Sequence, residues 1–178
     1  MLNIMENSAS SLKSHILQYG ILLGGISVVF ALMLFFLDMH YTQESAVGIV
    51  SIVITAGVII IGQYNFRKEN DGFLSFGEAL KLGMGIALIS SIIGVTYQVL
   101  LVTVIDPDTI PKMIEVAKNQ LFDTNPEMSQ EQLDQILDMQ SKFISPKMMV
   151  VFGLIGGLLI GFIISMISGL ILKRNRPE

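Results

Sequence analysis

Residues 148–172 read MMVVFGLIGGLLIGFIISMISGLIL, without a single charge. About 25 residues of helix is enough to cross a hydrocarbon layer about 30 Å thick. Inside the run a small residue returns at every fourth position: Gly153, Gly157, Gly161, Ser165 and Gly169. Four residues turn a helix through about 400°, so the row is a ridge that creeps round the helix by about 40° a step. Lipid tails give two helices no hydrophobic reason to associate. Small residues do, because backbones can approach until van der Waals contacts accumulate. The stretch predicts a transmembrane helix that forms the packing core of a bundle. On a straight helix the two ends of the ridge point about 160° apart, so two neighbours are expected. Gly153 and Gly157 should face one, Ser165 and Gly169 another, with Gly161 at the changeover.

Three further apolar runs lie upstream, at 16–37, 46–64 and 82–105. The first carries Gly20 and Gly24, with Tyr19 as an interface anchor. The third has a small-residue face from Gly83 to Gly94, and the amide of Gln98 lies deep in it. These two faces are the expected partners of the ridge, and a second copy of the chain could take whatever part they leave free. Gln98 reads first as interhelical glue and second as a solute contact. In the second run, Ser51 and Thr55 can bond the carbonyls one turn behind them. Four runs of this kind predict an all-α membrane protein, a four-transmembrane-helix bundle formed as a single domain over residues 1–178.

The composition agrees. Of 178 residues, 52% are hydrophobic and 15% charged, against about 25% charged in an ordinary soluble domain. With no cysteine there is no disulfide or thiolate chemistry. A net charge of −4 argues against nucleic acid as a partner. The first run is too long for a cleaved signal and reads as a signal-anchor, with Met5 an alternative start.

The connections differ in character. Asp38, His40 and Glu44 sit in a short turn between the first two spans; a metal site is conceivable, a wetted loop tip is the plainer reading. The loop 65–81, NFRKENDGFLSFGEALK, is an elbow: Asn70-Asp71-Gly72 is a turn signal, and Ser75 with Glu78 is a capping box. Glu78 can also pair with Lys81. Phe73, Phe76, Glu78 and Lys81 are candidate partner contacts, against the plainer reading of a structural elbow.

Residues 106–147 form the one sizeable polar insertion. Helical spacing from Ile110 to Leu121 and from Leu133 to Ile144, with a break at Asn125-Pro126 and a capping box at Ser129–Gln132, predicts a helical hairpin. Asp123, Asn125, Glu127, Ser129, Glu131 and Asp134 fall at calcium-loop offsets, but Met128 stands where that loop needs glycine. A turn and an N-cap explain the same residues.

Lys and Arg set the orientation. Lys13, Arg67, Lys68, Lys81, Lys173, Arg174 and Arg176 share one side; Lys112, Lys118, Lys142 and Lys147 the other. The positive-inside rule puts both termini in the cytoplasm and the hairpin outside. No Asp, Glu, Lys, Arg or His falls inside the four cores, which removes the usual furniture of ion and proton pathways. No nucleophile–base–acid pattern, phosphate loop or cofactor motif is present, so no enzyme activity is expected.

The elbow Gly72-Phe73-Leu74-Ser75-Phe76-Gly77-Glu78-Ala79-Leu80-Lys81-Leu82-Gly83 and the entry Ser145-Pro146-Lys147-Met148-Met149 resemble the membrane family called domain of unknown function 4199. The resemblance covers nearly the whole chain and implies a bacterial multi-pass inner-membrane protein; it supplies no activity and no catalytic residues. The expected function is a non-enzymatic interaction or accessory protein in contact with the lipid bilayer and a protein partner or second copy. The alternative is a subunit of a small transporter or channel.

Overall fold

The computed structural model describes residues 2–42 and 45–176, with side chains from residue 11 onward. Six helices follow one another: α1 Leu2–Phe36, α2 Ser45–Glu69, α3 Phe76–Leu100, α4 Thr109–Thr124, α5 Gln130–Phe143 and α6 Pro146–Leu172. A π-helical turn, Leu101–Ile105, extends α3. Four segments are long and apolar enough to cross a membrane: Ser11–Phe36, Ser45–Glu69, Phe76–Ile105 and Pro146–Leu172. The fold is all-helical, and the one β-type pairing among the described residues is the isolated bridge between Leu74 and Arg174.

The helix ends follow local chemistry. Ser75 caps α3: its hydroxyl accepts from the Glu78 N–H while the Glu78 carboxylate accepts from the Ser75 N–H at 2.8 Å. Ser129 and Gln132 repeat the arrangement at α5. Pro146 opens α6, where its missing N–H costs nothing. α2 ends in a turn with Asp71 at φ 54° and Gly72 at φ 82°, left-handed backbone that glycine adopts freely.

The small-residue ridge is where the expectation needs correcting. Every step of it meets the same neighbour, α3. A methyl placed at Gly153 would lie 2.6 Å from the Val95 side chain, and one at Gly169 would lie 2.9 Å from the Ala79 Cβ. Between them, Gly157 meets Ser91, Gly161 meets Ala87, and Ser165 meets Gly83. The two helices run in opposite directions, and each step of four on α6 is matched by a step of four on α3. The drift that forbids one straight partner applies equally to α3's own row. Both rows turn at the same rate in the same sense, so contact persists along the whole ridge. No second neighbour is needed, and the far half of the ridge is filled within the chain.

α3 is therefore the central helix, not α6. Its residues 79, 83, 87, 91 and 95 face α6, while 85, 89 and 93 face α1. Two residues turn a helix through about 200°, so these rows lie on nearly opposite faces. Gly20 and Gly24 pack on Ile89 and Ile93 of α3, at 2.7 and 2.5 Å from a notional Cβ, rather than on the ridge. Gly94 touches neither neighbour: a side chain there meets open space.

α2 is held by half its length. Its buried residues are Val58, Ile59, Gly62, Gln63 and Phe66, all towards the elbow. Residues 45–53 are exposed but for Val47. Ser51 and Thr55 spend their hydroxyls on their own carbonyls, Val47 at 2.9 Å and Ser51 at 2.8 Å, and so form no bond to a neighbour. The closed core lies at the elbow end, where Tyr19, Leu23, Ile59, Phe66, Leu82 and Ile86 are buried together. Tyr19 belongs to this core rather than to the interface; its hydroxyl accepts from Asn65 Nδ2 at 2.6 Å.

The α3–α6 contact predicts a sharp position dependence. Ala87 Cβ is fixed to its backbone, so Gly161→Leu must push the helices apart; Gly156→Leu enters open space. Overpacking of this kind costs about 1–3 kcal/mol, or about 5 °C in melting temperature for a chain of this length. Thermal unfolding in detergent should show that loss for Gly161→Leu and none for Gly156→Leu.

Candidate functional site

Past the end of α1 the chain turns through Asp38, in left-handed backbone at φ 56°, and carries His40 inward. His40 is not a wetted loop residue: its side chain is 5% exposed. The rings of Phe35 and Tyr41 lie 5.0 Å away on either count. Its Nε2 bonds Asp106 Oδ2 at 3.1 Å. Asp106 follows the π-helical turn, and its N–H reaches back to the Leu101 carbonyl at 2.8 Å. The same carboxylate oxygen accepts from the buried Thr109 hydroxyl and from Lys112 Nζ, each at 3.1 Å. Lys112 also lies 5.5 Å from the Tyr41 ring centre. One carboxylate thus ties the α1–α2 turn, the end of α3 and the start of α4.

What can this cluster do? A nucleophile–base–acid relay needs the hydroxyl and the carboxylate on opposite ring nitrogens. Here both Asp106 and Thr109 meet Nε2, the latter at 3.3 Å, and Nδ1 is buried without a partner. A carboxylate only accepts, so Nε2 carries the proton that points at Asp106. The arrangement holds parts together; it does not activate a nucleophile. Glu44 lies outside the described residues. Among the described residues no group of three or more His, Asp or Glu side chains could hold a metal ion. The residues at calcium-loop offsets divide between structures: Asp123 lies in the last turn of α4, Asn125 caps that helix, Ser129 caps α5, and Glu131 and Asp134 lie within α5.

The second feature is a cavity of about 320 Å³ in the far half of the bundle, where α2 stands away from the α3–α6 pair. Ser27 of α1, Thr55 of α2, Ser90, Ser91 and Gln98 of α3 all reach it, and Gly94, Gly153 and Gly157 give it room. Thr55 and Ser90 bond to carbonyls of their own helices. Ser27, Ser91 and Gln98 form no side-chain hydrogen bond to another described residue. Gln98 is accordingly a cavity wall and joins no two helices. Its lining holds no ionisable group.

The elbow is already occupied. The N–H and carbonyl of Leu74 pair with those of Arg174 at 2.9 and 2.8 Å. Arg67 Nη1 reaches the Leu172 carbonyl at 3.3 Å, and Arg176 bonds the Asn70 side chain at 2.9 Å. The guanidinium groups of Arg174 and Arg176 lie 5.9 and 5.6 Å from the Phe73 ring centre. Of the four candidate contact residues, Phe73 is covered by the chain's own tail and Glu78 is spent in the cap. Phe76, partly covered beside Gly169, and Lys81 are exposed. Glu78 pairs with Ser75 rather than with Lys81, because the cap offers a shorter reach.

Sequence reasoning missed Asp106 as a hub. It read as the residue that ends a helix before Pro107. Its partner His40 is 66 positions away, and no periodicity links them. Ser90 and Ser91 read as packing residues of the small-residue face, since small size serves packing and cavity alike, and Ser27 drew no reading at all.

The cluster should titrate. The Lys112 hydrogen bond, with those of His40 and Thr109, holds the Asp106 carboxyl below the usual range against its desolvation; Asp106 in turn raises the Lys112 ammonium. A lowered acid stabilises the fold above its unfolded pKa, and that contribution is lost as pH falls through the folded one. A raised base contributes below its unfolded pKa and loses that contribution as pH rises through the folded one. The clasp is therefore complete between the carboxylate and lysine ranges. In detergent the melting temperature should fall below the carboxylate range, and Asp106→Asn should be less stable at neutral pH with a shallower acid limb. Identical acid limbs would show that Asp106 carries none of the effect.

Comparison with curated proteins and with solved structures finds no match. Residues 18–174 match a protein family described as a protein of unknown function, DUF4199. That match takes in the first membrane-type helix from Gln18, the other three whole, the elbow, the clasp at Asp106 and the docked tail as far as Arg174, and on it the chain belongs to the DUF4199 family.

Proposed function

We propose that the chain is a non-enzymatic accessory protein of a bacterial cytoplasmic membrane, working through the half of the bundle remote from its termini. The observation that supports this is the asymmetry of packing. The elbow half is closed by Leu23, Ile59, Leu82 and Ile86, all fully or almost fully buried. The far half holds an uncharged cavity whose mostly apolar wall is interrupted by Ser27, Thr55, Ser90, Ser91 and Gln98. A pathway through one chain would need both halves open, so the geometry favours binding over conduction. The runner-up, a transporter subunit, rests on the same cavity and requires the elbow half to open.

The far half faces outward in this reading. Seven of the eleven Lys and Arg residues lie at the elbow end with both termini, the bias that keeps a loop in the cytoplasm. The acidic α4–α5 segment then lies outside. Phe122, Met139 and Phe143 are 47%, 57% and 54% exposed on it. Large apolar side chains on an acidic pair of helices are suited to a protein partner. This surface is a better contact than the elbow, whose Phe73 is covered.

Two measurements test the reading. A reporter joined after Arg176 should be active in the cytoplasm and one inserted at Asn125 outside; the reverse overturns the orientation. A partner cross-linked in native membranes should be retained by the parent and lost with Phe122→Ser and Met139→Ser together. Vesicles containing the protein alone should show no solute flux above protein-free vesicles, and flux would replace the accessory reading by the transporter one.

A further inference from the structure

We infer that the cavity in the far half binds the headgroup of an uncharged, hydroxyl-bearing lipid-phase amphiphile of the monoacylglycerol type. The inference rests on the binding reading above and deepens it. Three observations carry it.

First, the polar groups are unspent. Ser27, Ser91 and Gln98 line the cavity, and no side-chain hydrogen bond ties them to another described residue, although the Ser91 hydroxyl also packs on Gly157 of α6. Polar groups inside a bilayer find partners, because leaving them bare in hydrocarbon is costly. Together they offer donors and acceptors at once, which suits a hydroxyl, itself both, and an ester carbonyl, an acceptor. Second, the lining has no cation and no anion. A phosphate or ammonium headgroup would lose its hydration with nothing to replace it. That excludes the common charged phospholipids and leaves uncharged heads.

Third, size and access fit an amphiphile. A volume of about 320 Å³ admits a head of roughly ten non-hydrogen atoms. A second cavity of about 180 Å³ adjoins it between α1 and α2 and shares Ser27 and Thr55. Its walls combine Phe30, Ala31, Leu34 and Ile54 with Ser51 and Thr55, whose hydroxyls are spent on carbonyls of their own helix, so the side chains it turns to a guest beyond Ser27 suit the start of an acyl chain. The exposed stretch 45–53 of α2 leaves that side of the bundle open. A water-soluble polyol would fill the first cavity only; an amphiphile fills both.

The glycines supply a clean test. Gly94 lines the cavity, and a Cβ there meets nothing within 4 Å, so Gly94→Leu directs its side chain into the cavity rather than against a neighbouring helix backbone. Gly156→Leu is the control in open space away from it. The full chain in phosphatidylcholine vesicles is exposed to a monoacylglycerol with a photoreactive diazirine on its acyl chain, and label is mapped by peptide. Label is expected on peptides spanning 27–34 and 90–98, competed by unlabelled monoacylglycerol and not by glycerol. It should fall to background in Gly94→Leu and persist in Gly156→Leu. Gln98→Met keeps the shape and removes the amide, so it should lower labelling about fivefold, the scale of one hydrogen bond in a dry site.

Equal labelling of Gly94→Leu and parent overturns the inference, as does equal labelling of these peptides by a diazirine alkane without a headgroup. Competition by glycerol would mean a water-side polyol site and also overturns it. None of these outcomes bears on partner cross-linking or flux, which test the accessory role separately.

Discussion

In hydrocarbon, close approach does the work that water does for a soluble core. The α3–α6 contact is built on that constraint. Five residues on each helix, none larger than valine, face one another in antiparallel register, and the one ridge position on α6 that carries a side chain, Ser165, is met by a glycine, Gly83. The Ser165 hydroxyl turns back to the Gly161 carbonyl, so closeness leaves no polar group stranded. The α1–α3 contact solves the same problem with notches, isoleucines of one helix seated on glycines of the other. Everything else hangs from α3, including α2, which has no such row and adheres only near the elbow.

The sequence carried the architecture and only part of the pairing. Four uncharged runs, the capping boxes at Ser75 and Ser129, and the break at Asn125-Pro126 were legible because each is set by neighbours within one or two turns. Of the two faces expected to meet the ridge, the α3 face does so and the Gly20–Gly24 face does not. A four-residue row states that close contact will occur, but matching it needs the drift of the other helix as well. Gly94 shows the limit in one residue: by composition it belongs to the small-residue face, yet the register that places Ser91 and Val95 against α6 leaves it facing a cavity. His40 shows the same limit for a polar group. A histidine between acids was visible; the carboxylate that claims it stands beyond two membrane spans.

The two ends of the bundle are closed by different physics. At the elbow a backbone bridge, arginine–carbonyl bonds and a buried aromatic core hold the helix ends together. At the far end one carboxylate gathers an imidazole, a hydroxyl and an ammonium beneath a π-helical turn, and the space below it stays open. The bundle is thus fixed at one end and loosely filled at the other, with α2 held only near the elbow.

The docked tail has a consequence for how the molecule is made. Arg67 bonds the Leu172 carbonyl across 105 residues of chain. Until α6 has entered the bilayer, that elbow cannot close. α1 and α3 can pair early, since both precede it, but the opposite face of α3 then presents bare alanine, glycine and serine to lipid. Insertion of the last span fills the groove and brings Lys173–Arg176 to the elbow in one motion. A chain without residues 148–172 would leave the Ala79–Val95 face of α3 without the helix that covers it.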